Sequence, residues 1–96
     1  MKVPIRLQVE NIVGEKVYSP VRVLELMMNA GLQRVPSDYS IRKYASNNKL
    51  GVTPHELGIE CSAAQGNTYF IKSSNLADLI SGLELPISVQ QLEEAL

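Results

Sequence analysis

The 96-residue sequence has little of the residue types that build metal sites and covalent cross-links. It contains one cysteine, Cys61, one histidine, His55, and no tryptophan. A lone cysteine excludes an intramolecular disulfide, and such low cysteine usage is typical of a reducing cytoplasm. Zinc sites need several Cys or His residues at ligand spacing, which this sequence does not provide. We therefore expect a cytoplasmic protein without a metal site, in which Cys61 is a small inward-facing side chain on a strand.

Long apolar runs and phosphate-binding loops are also absent. No stretch approaches the ~18 apolar residues of a membrane span, and residues 1–4 do not lead into an apolar run of signal-peptide length. Neither G-x-G-x-x-G nor G-x-x-x-x-G-K-[ST] occurs. The only adjacent carboxylates, Glu93 and Glu94, are typical of a solvated helix face rather than of an acid–base pair. These absences predict a protein that is not an enzyme and has no cofactor, small-molecule substrate or membrane partner.

The charges that are present are distributed unevenly along the chain. Residues 1–49 carry eight Lys or Arg against four acids, which is +4, whereas residues 50–96 carry one Lys against six acids, which is −5. Such a split favours a nucleic-acid face set against an acidic face. Chance clustering in a short chain is the alternative.

Length and patterning predict one α+β domain covering residues 1–96. In the N-terminal region, residues 1–18, the apolar side chains of Val3, Ile5, Leu7 and Val9 alternate with Pro and polar residues. Period-two alternation predicts a strand with one buried face. This strand would extend a sheet or pair across a dimer.

Capping signals then predict a series of helices. Ser19 followed by proline opens a helix that Gly31 ends, and Ser37 with Asp38 opens a second helix reaching Asn47. Thr53 to Glu56 is a compact capping box for one helical turn. Residues 59–72 predict a β-hairpin turning at 65–67. Further caps at 73–74 and at 88 predict a helix closed at residue 82 and a short tail helix in residues 83–96.

Three segments within residues 17–82 resemble winged-helix DNA-binding domains of the excisionase and MerR type. They are Tyr18-Ser19 before the first helix, the run Tyr39 to Tyr44, and the run Tyr69 to Ile80 after the hairpin. The resemblance implies a small winged-helix-like fold with three to four helices and a hairpin wing. It also implies a non-catalytic DNA-binding protein in transcription regulation or nucleoprotein assembly, acting as a dimer.

The resemblance further implies that residues 38–48 form the recognition helix on duplex DNA. Arg and Lys would contact phosphates, and polar side chains of this helix would reach the major groove. The implied DNA-binding residues are Arg34, Tyr39, Ser40, Arg42, Lys43, Asn47, Lys49, Gln65 and Asn67.

A second hypothesis is a protein-interaction module or adaptor of similar fold with no nucleic-acid role. The hairpin turn carries no charge, and Val89, Leu92 and Leu96 form one apolar face of the tail helix. Such a face predicts either a homodimer or partner interface or packing onto the chain's own core.

Overall fold

Residues 3–95, the part of the chain that the computed structural model describes, form helices around a three-stranded antiparallel sheet. The α+β class expected from the sequence is therefore confirmed. Within these residues no helix is long and apolar enough to cross a membrane. The elements are α1 Ile5–Val13, β1 Val17–Tyr18, α2 Pro20–Asn29, α3 Asp38–Asn47, β2 Gly51–Val52, α4 Ala63–Gly66, β3 Phe70–Lys72, a 3-10 turn Ser73–Asn75, α5 Leu76–Gly82 and α6 Val89–Glu94.

The sheet has the order β1-β3-β2, so the last strand lies between the first two. Tyr18 pairs with Ile71 on one side of β3, and Val52 pairs with Phe70 on the other. Successive strand residues point to opposite faces of a sheet. Tyr18 and Ile71 accordingly join one apolar cluster, while Phe70 joins a second cluster. The sheet thus separates two packed layers.

The larger layer contains α2, α3, α5 and α6. Its buried side chains are almost all aliphatic, in agreement with the scarcity of aromatics in the sequence. Fully buried members contribute most of the favourable free energy of the core. They include Val23, Leu26, Met27, Ile41, Ala45, Ile71, Leu76, Leu79 and Leu92.

Helix α1 covers the other face of the sheet, where Val9 packs with Val17 and Phe70. The N-terminal strand predicted for this region is therefore wrong. Ile5, Val9 and Val13 recur every four residues, and this helical stripe competes with the alternation over residues 3–9. Leu7, which the strand would have buried, is 41% exposed on the outer side of α1.

Helices α2 and α3 begin at the predicted caps. The Ser19 hydroxyl accepts a hydrogen bond from the Arg22 N–H at 3.2 Å, and Ser37 caps α3 in the same way. Helix α2 ends as predicted at Gly31, whose φ of +94° lies in the left-handed region that favours glycine. The next residue, Leu32, packs against the core.

The predicted hairpin over residues 59–72 is only half correct. β3 is present, but it pairs with β2 and β1, and residues 59–62 form no strand. Ser62 instead caps α4 by accepting a hydrogen bond from the Gln65 N–H at 3.3 Å, which makes residues 63–66 helical rather than a hairpin turn. Cys61 is consequently half-buried in an irregular segment and not on a strand.

Residues 53–69 therefore connect β2 to β3. We call them the wing loop only because the predicted wing falls in this part of the chain. Thr53 and Glu56 make the reciprocal hydrogen bonds of the predicted capping box, each at 3.3 Å, but they close a turn and not a helix. The two ends of the loop are joined by a backbone hydrogen bond, in which the main-chain N–H of His55 donates to the Gly66 carbonyl. Hydrogen bonds within the loop thus hold its segments together.

Helices α5 and α6 complete the main core. Helix α5 ends at Gly82 as predicted, and the left-handed residue that follows the helix is Glu84. The absence of a side chain at Gly82 also makes room for the Tyr44 ring. The capping box predicted for α6 is confirmed between Ser88 and Gln91.

The start of α5 is held by a carboxylate from the α1–β1 connection. Glu15 accepts hydrogen bonds from the Ser74 N–H at 2.7 Å and from the hydroxyls of Ser73 and Ser74. The hydrogen bonds from Ser74 are the main reason that the pKa of Glu15 lies below its ordinary value. Glu15 thereby connects the layer containing α1 to the main core.

A depressed pKa means that the unfolded chain binds a proton more readily than the folded chain does. The contribution of Glu15 is therefore complete above its ordinary pKa of 4.5 and is lost as the pH falls through its lower folded-state value. We expect Glu15→Gln to cost less than about 1 kcal/mol at pH 7, because the carboxylate is partly exposed to water. It should also flatten the decline of stability below pH 4.5, measured by urea unfolding. Glu25→Gln, at an exposed ion pair with Arg22, is the control and should leave both quantities nearly unchanged.

Candidate nucleic-acid interface

Helix α3 presents a polar and basic stripe on the side opposite its buried face. Ile41 and Ala45 are fully buried, which fixes the rotation of the helix. Residues spaced by three and four positions share a helix face. The exposed stripe that results contains Tyr39, Arg42, Lys43 and Ser46, and Ser40 and Asn47 flank it, also exposed.

The two cations of this stripe are not neutralised by neighbouring acids. Within residues 3–95 the ion pairs are Arg6–Glu10 and Arg22–Glu25, and neither involves α3. The only acid of α3 is Asp38, in the first turn, where its carboxylate accepts the Tyr39 N–H at 3.0 Å. Negative charge is stabilised at that end of a helix by the backbone dipole. The stripe is therefore net positive.

Lys49 lies just beyond the C-terminus of α3 and is exposed. The helix ends in a Schellman motif, since the Leu50 N–H donates to the Ala45 carbonyl at 2.9 Å and the Lys49 N–H to the Ser46 carbonyl at 3.3 Å. Lys49 occupies the left-handed position of this motif, with φ of +54°. Glycine is usual at this position, because a residue with a Cβ atom is strained there. The backbone of Lys49 is therefore strained.

The wing loop is attached to α3 by a direct hydrogen bond. Arg42 Nη2 donates to the Asn67 carbonyl at 3.2 Å. An open groove of about 420 Å³ lies beside this contact. It is lined by the first turns of α2 and α3 and by the wing loop. Its lining residues are Ser19, Pro20, Val21, Asp38, Tyr39, Arg42, Ala64, Asn67, Thr68 and Tyr69.

All nine residues implied for DNA binding are exposed, but the fold does not bring all of them together. Tyr39, Arg42 and Asn67 share the groove. Arg34 lies instead in a surface depression between residues 31–36 and residues 83–86. Gln65 faces residues 3–8 at the start of α1. Neither Arg34 nor Gln65 lines the groove beside α3.

The groove also includes residues that no pattern in the sequence indicates for this site. Val21 contributes an apolar wall and is 51% exposed. Thr68 lies at the junction of the wing loop and β3. No local sequence signal marks Val21 or Thr68, because the groove forms between segments that are far apart in the chain. Arg42 and Asn67, which meet beside it, are separated by 25 positions.

The wing loop supplies no positive charge to the interface. It carries Glu56 and Glu60 and no Lys or Arg. Any contribution to anion binding from this loop would therefore come from neutral groups such as the Asn67 amide, which has no hydrogen-bond partner within residues 3–95. Positive charge beside the groove comes from α3.

Nothing in the described part of the chain gathers three or more His, Cys, Asp or Glu side chains into a metal-binding group. Comparison with protein-family models, with curated proteins and with solved structures gives no match for this chain. The chemistry of α3 and of the adjoining groove is therefore what bears on its function.

Proposed function

We propose that this chain is a non-catalytic, winged-helix-like protein that binds duplex DNA through α3. The observation that carries the proposal is the exposed stripe of α3, in which Arg42 and Lys43 have no acidic partner within residues 3–95. Phosphate neutralisation by such cations supplies most sequence-independent DNA affinity. Lys49 extends the positive charge past the end of the helix.

The arrangement of elements supports this proposal. α3 is the second helix of the pair α2 and α3, which is the position of the recognition helix in helix-turn-helix proteins. β2 and β3 follow it, and the wing loop between them takes the place of a wing. The Arg42–Asn67 hydrogen bond would hold that loop beside the helix on DNA.

The side chains of α3 suit both kinds of DNA contact. Lys43 and Lys49 are suited to phosphate oxygens, which set the position of a protein on the duplex. Asn47 is suited to bidentate hydrogen bonding with adenine, and Arg42 retains N–H groups for guanine or phosphate. A homodimer would add a second α3 and raise the affinity by linking two weak sites.

The alternative of a protein-interaction module loses its principal support. Leu92 is fully buried within the chain's own core, and Val89 packs partly against the same cluster. Leu96, the third member of the predicted apolar face, lies outside the described residues. Core packing of α6 therefore accounts for Val89 and Leu92 without a partner.

The first test is fluorescence anisotropy of a labelled duplex, titrated at several salt concentrations. We expect micromolar binding at low salt, with a linear fall of log K against log salt. Lys43→Gln should weaken binding and reduce the salt slope by about 1. Lys16→Gln, which removes an exposed cation between α1 and β1, is the matched control. Equal effects of both substitutions, or affinity independent of salt, would contradict the proposal.

A second pair of variants separates binding from folding. Lys49→Gly relieves the left-handed strain and should raise the free energy of unfolding by about 1 kcal/mol, yet weaken DNA binding. Glu84 occupies the same left-handed position after α5, with φ of +53°. Glu84→Gly should stabilise the fold similarly without weakening DNA binding. A more stable protein that binds less well cannot owe its defect to unfolding.

A further inference from the structure

The Tyr39 ring is the most exposed large apolar side chain in residues 3–95, at 68%. Its hydroxyl has no hydrogen-bond partner within that part of the chain, and its ring contributes little to the buried core. The stability of the folded protein therefore does not explain why an aromatic residue occupies this position. An open aromatic face beside unpaired cations is the arrangement that stacks nucleobases in single-strand-binding proteins.

The groove beside Tyr39 provides the other contacts that a base would need. Val21 and Ala64 offer apolar surface, and the Asn67 side-chain amide can both donate and accept hydrogen bonds. Arg42 lies at the same groove, and Lys43 follows it on α3. A flat aromatic ring attached to a phosphate would meet a stacking surface, groups that bind its edge, and the cations of α3. Asp38, the one acid of the groove lining, lies in the first turn of α3, where the helix dipole stabilises its charge.

We propose that this groove takes an unpaired base of the DNA that α3 binds, with the base stacked on Tyr39. The inference rests on the proposed DNA binding. Bases within an intact duplex present only their edges, so face-to-face stacking on Tyr39 requires a base that has left the stack. The proposed substrate class is therefore duplex DNA with an unpaired or displaced nucleotide.

The test compares three duplexes that differ at one central position. The first is fully paired, the second carries one extra unpaired adenine, and the third carries an extra abasic nucleotide that bends the backbone without a base. We expect the unpaired adenine to bind about tenfold more tightly than the abasic duplex. Tyr39→Ala should abolish this difference, and Tyr39→Phe should keep it. Met28→Ala, at an exposed apolar residue of α2 outside the groove, is the control and should change nothing.

The outcomes distinguish the two proposals. Salt-dependent binding of all three duplexes with equal affinity would overturn the unpaired-base site and leave DNA binding by α3 intact. Binding to none of them would overturn both. If Tyr39→Ala weakened all three equally, the ring would be a general backbone contact, and the unpaired-base site would again be wrong. Replacing the adenine with 2-aminopurine provides a second readout, since transfer of the base from the duplex stack to Tyr39 should change its fluorescence in the wild-type protein and not in Tyr39→Ala.

Discussion

Gly51→Ala is expected to lower the free energy of unfolding by about 3 kcal/mol, at the upper end of the usual cost of overpacking. A Cβ atom at this position would lie 1.9 Å from the Phe70 carbonyl oxygen and 2.8 Å from the Ile71 Cα. Both are backbone atoms of the central strand, which cannot rotate away as a side chain could. The pairing of β2 with β3 would therefore have to open.

The contacts of Gly51 add to this cost. The Tyr69 hydroxyl donates to the Gly51 carbonyl at 2.9 Å and accepts from the Gly51 N–H at 3.0 Å. Moving β2 away from β3 would break both hydrogen bonds and leave polar groups in a partly buried setting, which is costly. Since the wing loop follows β2 directly, we also expect the loop to lose its alignment with α3.

Urea and thermal unfolding followed by circular dichroism would measure this effect. For a domain of this size, 3 kcal/mol corresponds to a fall in Tm of roughly 15 °C. Gly31→Ala is the control, because a Cβ there meets no atom within 4 Å and the cost should be the strain of its positive φ alone, about 1 kcal/mol. Equal destabilisation by the two substitutions would mean that β2 and β3 are not as close as described.

Leu92→Ala is expected to destabilise the protein by about 3 kcal/mol, within the range for fully buried leucines. Leu92 has no exposed surface and packs in the main core, where α6 meets α2 and α5. Truncation would leave a cavity that these short helices can close only partly. The same variant decides whether the apolar face of α6 is a core element or a docking surface.

The measurement combines urea unfolding with sedimentation velocity. Core packing predicts a lower free energy of unfolding with no change in the mass of the particle. Gln90→Ala, at an exposed position of α6, should stay within about 0.5 kcal/mol of wild type. If Leu92→Ala kept its stability but dissociated an oligomer, α6 would be an interface and its assignment to the core would be wrong.

Helix starts were predictable from the sequence because their signals are local. Ser19, Ser37 and Ser88 each cap the helix that was expected to follow them. A side-chain oxygen three residues from the N–H that it binds needs no help from the rest of the fold. Ile41 and Ala45 are buried and lie four positions apart on one helix face, so the spacing along the chain also leaves the charged residues of α3 on another face.

The N-terminal segment and the wing loop were mispredicted because their signals conflict. Over residues 3–9 apolar side chains satisfy a period of two, while Ile5, Val9 and Val13 satisfy a helical period. The helix prevails because one face of the sheet would otherwise lack cover over Val17 and Phe70. In the wing loop, the Ser62 cap directs the chain into α4, where the first half of a β-hairpin was predicted.

By itself, the sequence determined the composition of the core, the starts of its main helices, and the basic, exposed character of α3, since each depends on residues within a few positions of one another. Only the tertiary structure decided that α1 covers the second face of the sheet and that Leu92 is buried. The groove beside Tyr39 is likewise a product of the tertiary fold. Arg42 reaches Asn67 across 25 residues, and Val21 and Tyr39 come from different helices. Such contacts depend on how separate elements pack, which no local pattern in the chain encodes.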